Sequence, residues 1–287
     1  MTRLFMVNVN PSKQLMKKIN YFILALIAIM SLYGCKEAEL KLYEQDANIY
    51  FDLNRDDRDS IVYTFAYDMT KAVDTVYLPV RITGHRLPQG STYKAYVEQD
   101  SSTAVPELHY KPLEDNYSIV ANSGRAWLPL ILYNVSDLEE RSVSVILKLQ
   151  GTEDFGVENP NIIRARVILS ARLEKPHWWD QWLGDYSRAK HQLFILVTGL
   201  DYMTNTDEDP FGVPKNTYIA SVLTMMLNDP FRWVNNNPEK GYVLNTEDNG
   251  ATYSFYHKDN PSRPMLLRYN AGSGKYFFID ENGREVR

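Results

Sequence analysis

Alternating apolar and polar positions dominate the chain from about Tyr43 to Glu174. In "DTVYLPVRITG", Val76, Leu78, Val80 and Ile82 fall on one side of an extended segment, which is the period of a half-buried strand. "DSIVYTFAY", "STYKAYVEQD", "RAWLPLILYNV", "RSVSVILKLQ" and "RARVILSARL" repeat that period. Turn-forming stretches such as "HRLPQGS", "ANSGR" and "EDFGVENPN" separate them. About seven short strands at this spacing predict an immunoglobulin-like antiparallel β-sandwich over residues 46–174. Pro79 and Pro129 interrupt two of the runs, so those strands are expected at sheet edges or with bulges.

The period changes at Pro176. "YSRAKHQLFILVTGL" places Ala189, Leu193, Phe194, Val197 and Leu200 at helical spacing, with Ser187 as N-cap and Gly199 as the stop. "NTYIASVLTMMLNDP" reads as a second helix, with Tyr218, Ile219, Val222, Leu223, Met226 and Leu227 on its apolar side and Pro230 beyond its end. "ATYSFYH", "PMLLRYN" and "KYFFIDENG" read as short strands, the last two joined by a hairpin at "NAGSGK". Residues 175–287 are thus expected to form a small α+β domain, which leaves the chain mainly β.

Charge and cysteine change the picture at the N-terminus. "MKKINYFILALIAIMSLYGC" has a basic start, an apolar run from Tyr21 to Met30, and then the only cysteine, Cys35. This is the plan of a secretory signal, with an apolar run shorter than the roughly 20 residues that span a bilayer. Gly34 before Cys35 suits cleavage ahead of a lipid-modified cysteine, although Tyr33 is bulky for that site. The expectation is a lipoprotein signal over residues 1–34, with Met16 as an alternative start, then lipid on Cys35 and a tether over 35–45. Without residues 1–34 the chain keeps 27 basic against 36 acidic residues. A net-acidic chain with no Lys/Arg cluster lacks the footprint of a nucleic-acid partner. A lone cysteine also excludes a disulfide framework and a cysteine-based zinc site.

"IYFD…DSIVYTFAY", "DTVYLPVRITG", "SSTAVPELHY", "VILKLQGTEDFGV" and "KPHWWDQWLGDYS" occur in that order from Ile49 to Leu196. The string resembles a family of Bacteroidota lipoproteins carrying a domain of unknown function, number 4843. Its "STA…Y" part is also similar to calcium-exchanger-type β domains. The resemblance implies a setting and no chemistry. Such proteins look like accessory lipoproteins of outer-membrane nutrient uptake, partnered by a starch-utilisation-type transporter and its lid lipoprotein.

Trp178, Trp179 and Trp182 are the candidate ligand-binding residues, since exposed indoles stack on sugar faces. Adjacent Trp178 and Trp179 would diverge in an extended segment, whereas Trp178 and Trp182 share a helical face. The competing reading makes the rings a clamp at the junction of the two domains, and it is the stronger one because Trp is highly buried on average. "DLNRDDRDS" and "NTDEDP" do not match a calcium loop, so no metal is expected there, and the first reads as a hairpin tip. His85, His109, His177, His191 and His257 form no tight ligand spacing, and "NAGSGK" lacks the Ser/Thr of a phosphate loop. There is no nucleophile elbow, so no catalytic residue and no cofactor is assigned. These features predict a non-catalytic, surface-exposed lipoprotein of the outer membrane that helps capture a glycan or peptide. The alternative is a structural subunit of the transporter complex without a nutrient ligand, and a hydrolase ranks below both.

Overall fold

The structure is a computed structural model that describes residues 47–159 and 162–287; the signal segment, Cys35 and the whole tether over 35–45 lie outside the described residues. Two sheets face each other in the N-terminal part. One has the order β1-β3-β6, formed by Asn48–Phe51, Val73–Thr83 and Arg125–Tyr133. The other has the order β2-β8-β7-β4-β5, formed by Ile61–Thr64, Arg164–Ser170, Val143–Gln150, Ser91–Val97 and Tyr117–Ile119. The pairs are antiparallel except β2 and β8, which run parallel, so the sandwich departs from the antiparallel expectation at one edge. Its core is the inward half of each alternation. Leu78, Val80, Leu128, Leu130 and Leu132 come from one sheet, and Tyr93, Val145, Leu147, Val167 and Leu169 from the other.

The prolines are accommodated by strand direction. The Asp52 amide donates to the Pro79 carbonyl at 2.9 Å, so Pro79 turns its ring nitrogen toward β1, where β1 stops at Phe51. Pro79 therefore lies on the central strand, not on an edge as expected, and its missing N–H falls beyond the last rung of that ladder. Pro129 is on edge strand β6 and faces Tyr77 in a pair that exchanges no ladder hydrogen bonds, so its nitrogen points to the free edge. "DLNRDDRDS" is not a hairpin tip: it carries the chain from the three-stranded sheet to the five-stranded one.

After Glu174 four helices precede a meander sheet. They are α1 (Trp179–Trp182), α2 (Arg188–Thr198), α3 (Gly212–Asn228) and α4 (Pro230–Asn236). The Ser187 hydroxyl accepts from the Lys190 amide, and Gly199 closes α2 at φ 69°, both as the sequence predicts. The sheet β9–β12 comprises Tyr242–Asn245, Thr252–His257, Met265–Asn270 and Lys275–Phe278, with the predicted hairpin between the last two. Leu193, Phe194, Leu223, Met226, Phe255, Leu267 and Phe278 form a second core there. Tyr218, placed on the apolar side of α3 by its spacing, is exposed, because that helix packs only its Leu223–Met226 side. Both cores belong to one compact unit, Gln45–Arg287. No helix among the described residues is long and apolar enough to cross a membrane.

Candidate functional site

The tryptophan cluster is a clamp. "PHWW" turns into α1 rather than staying extended, so Trp178 and Trp179 stack at 5.7 Å between ring centroids instead of diverging. Trp179 is fully buried, edge-on to Tyr186 at 5.0 Å and to Phe194 at 6.0 Å, and 4.9 Å from the His191 ring. It cannot offer a face to a ligand, which corrects its place among the candidate binding residues. Trp178 packs on the same core and tilts against Phe194 at 5.5 Å. Trp182 is partly buried and is the one of the three whose side chain borders a cleft.

The clamp closes the C-terminal core; the junction with the sandwich is polar. Glu139, just after β6, pairs with Arg188 of α2 at 2.9 Å and with Arg263 of the β10–β11 loop. Buried Asn260 donates to the Met69 and Lys71 carbonyls at 3.0 and 3.3 Å. These groups line a cavity of about 400 Å³.

Two histidines are buried, and only His109 has partners on both ring nitrogens. His109 accepts from the Val105 amide at 2.8 Å through Nδ1, and its Nε2 lies 3.0 Å from Asp137. With Nδ1 occupied by the backbone, the pair cannot act as a base and pins the loop at 105–111. Burial works against ionisation of Asp137, but Arg141 and His109 hold its carboxyl below the usual range. His191 is 2% exposed, and its Nε2 has no partner among the described residues. Burial pulls its pKa down from 6.5 to about 4. The unfolded chain then takes up a proton near pH 6.5 and the folded one only near pH 4, so this group stabilises the fold above pH 6.5 and the stabilisation is lost as pH falls toward 4. His191→Phe should flatten that decline in urea midpoints between about pH 7 and pH 4. Equal slopes for both proteins would contradict the assignment. The acidic loops are tied up in turns: Asn54 accepts from the Asp57 amide at 2.8 Å, and Asp209 pairs with Lys215 at 2.6 Å. No group of three or more His, Cys, Asp or Glu that could hold a metal occurs among the described residues.

The exposed aromatic surface lies elsewhere. On β3 and β6 the even positions enter the core, so the odd ones line the outer face of the three-stranded sheet. Tyr77 is 61% exposed and Trp127 60% exposed. Pro79 pairs with Trp127 and Tyr77 with Pro129, so the two aromatic residues are diagonal neighbours on one face. Arg81 and Arg125, opposite each other, bound one end, and Arg81 pairs with Asp52 at 3.3 Å. The sequence reading missed this pair because its two members lie 50 residues apart, in "VYLPV" and "AWLPL", joined only by the register.

A family described as a domain of unknown function, DUF4843, matches residues 43–200. The chain belongs to the DUF4843 family. The DUF4843 segment covers the sandwich, the tryptophan clamp and α2, and it ends before α3 and the meander sheet. The exposed aromatic face is therefore entirely within DUF4843. A comparison with curated proteins finds no match. Among solved structures the chain is similar to CBD12 from CALX1.2 (12% identity, 43% of each chain, TM-score 0.32). It is also similar to a Bacteroides ovatus protein of unknown function (16% identity, 44% of this chain and 46% of that one, TM-score 0.30). A third is a candidate carbohydrate-binding protein from Bacteroides ovatus (10% identity, 84% and 69%, TM-score 0.32). The chain spans less than half the length of the first two.

Proposed function

We propose that this DUF4843 protein is a non-catalytic lipoprotein, anchored through Cys35 at the outer-membrane surface, that captures a nutrient glycan for an adjacent transporter. The observation that carries the capture role is the exposed Tyr77–Trp127 pair on the open sheet face. Aromatic side chains offer a large, rigid apolar face at small entropic cost, and a diagonal pair can hold successive rings of one chain. The anchor rests on the basic-apolar-cysteine order of residues 17–35.

Calorimetry of the full chain in detergent against a panel of polysaccharides tests the capture role. Trp127→Ala should weaken the bound glycan by about 1–2 kcal/mol, roughly five- to thirtyfold, with unchanged unfolding. Between Arg81 and Val73 the outward positions of β3 and β6 are uncharged, with Asp52 beside Pro79 and Lys111 beside Ile131 at the borders, and such a face also suits a protein partner. A folded protein that ignores every glycan and peptide but co-purifies with a transporter through this face would turn the assignment to a structural subunit.

A further inference from the structure

A second cleft, of about 460 Å³, opens between α1, α3 and β12. That volume is in the range of small-molecule sites. Strand alternation sends Phe278 into the core and leaves Lys275 and Phe277 on the cleft side. Trp182 contributes an indole, α2 contributes Lys190, and Arg287 lies 5.3 Å over the Phe277 ring. Three cationic side chains thus meet two aromatic rings, with no Asp or Glu side chain along the wall. In a chain of net charge −5 this is a local concentration of positive charge.

The partners of these cations differ. Arg287 is paired with Glu285 at 2.7 Å. Lys275 is exposed and makes no ion pair among the described residues. Lys190 is 6% exposed; its ammonium donates to the carbonyl oxygens of Leu183 and Asp185, and on its other side it borders another cleft with Asp185, Asp280 and Glu285. Two carbonyls account for two of its three N–H donors. Burial pulls its pKa below the usual lysine value, so an anion arriving in the cleft would relieve a desolvated charge.

We propose that this cleft binds an anionic sugar unit, its carboxylate between Lys190 and Lys275 and its ring against Trp182. The anion selectivity follows from the cleft itself; the choice of a sugar rests on the glycan-capture reading above. The site would make the captured polymer an acidic one, a uronic-acid glycan.

Tryptophan fluorescence and calorimetry of the full chain in detergent, titrated with glucuronate, glucose and benzoate, test this. Glucuronate should saturate the protein at least about tenfold more tightly than glucose, and rising salt should weaken it. Lys275→Gln, an exposed change that leaves unfolding unaltered, should cost about tenfold, and Trp182→Ala should abolish the fluorescence change. Equal binding of glucose and glucuronate, or no effect of Lys275→Gln, would overturn the site. Benzoate bound as tightly as glucuronate would overturn the sugar assignment. Trp127→Ala separates the two readings. Glucuronate binding that survives it supports the cleft whatever becomes of the sheet face. Polymer binding lost in Trp127→Ala, with no glucuronate binding in the unaltered chain, leaves the sheet face standing and removes the cleft.

Discussion

Trp179→Ala should destabilise the protein by about 3–5 kcal/mol, the range for deleting a large buried aromatic side chain. Trp179 is fully buried and is in ring contact with Trp178, Tyr186, His191 and Phe194. Removing the indole leaves a void bordered by Trp178 ahead of α1, Tyr186 between the helices, and His191 and Phe194 of α2. Trp179→Phe keeps part of that packing and should cost clearly less than the alanine variant. Urea unfolding followed by far-UV circular dichroism reads both. A loss below about 1 kcal/mol for Trp179→Ala would mean that the clamp is not a stabilising centre. Because Tyr77 and Trp127 are not in the clamp, the glycan binding proposed for their face should be unchanged in the folded fraction.

Glu139→Gln should cost about 3 kcal/mol through a different mechanism, uncompensated charge. The Glu139 side chain is 14% exposed, and those of Arg188 and Arg263 are 22% and 15% exposed. The carboxylate also accepts from Gln192 at 3.1 Å, while Arg263 reaches on to Asn134 at 2.7 Å. The neutral amide would leave two guanidinium groups facing each other in a partly dry cavity. Replacing all three members by methionine removes the repulsion with the attraction and should recover most of the loss. If Glu139→Gln unfolds at the same urea concentration as the unaltered chain, the junction is held by apolar contacts instead. The same result for the triple replacement as for the single one would show that charge is not the source of the loss.

Much of the fold is legible in the sequence because it follows from local periods. The alternation at Val76, Leu78, Val80 and Ile82 orients β3 without knowledge of its neighbours, and Ser187 and Gly199 mark the ends of α2 by cap chemistry. Strand β9, "YVLN", and strand β5, "YSI", are too short to show a period, so only pairing defines them. The exposure of Tyr218 shows the same limit: its spacing marks a stripe on α3, and the packing partner covers only part of that stripe.

Sequence by itself determined the mainly β architecture, the switch to helices at Pro176, the family resemblance and the turn chemistry, since each rests on residues close together in the chain. Tertiary structure alone decided that Trp179 is core, that the domain junction is a Glu139–Arg188–Arg263 cluster, and that Tyr77 stands beside Trp127. It also gathered Trp182, Lys190, Lys275 and Phe277 around one cleft. The physical reason is that exposure and neighbourhood depend on which faces pack together. A side chain's own strand or helix gives its direction, and only the register and docking of distant segments decide whether that direction meets core, water or another side chain.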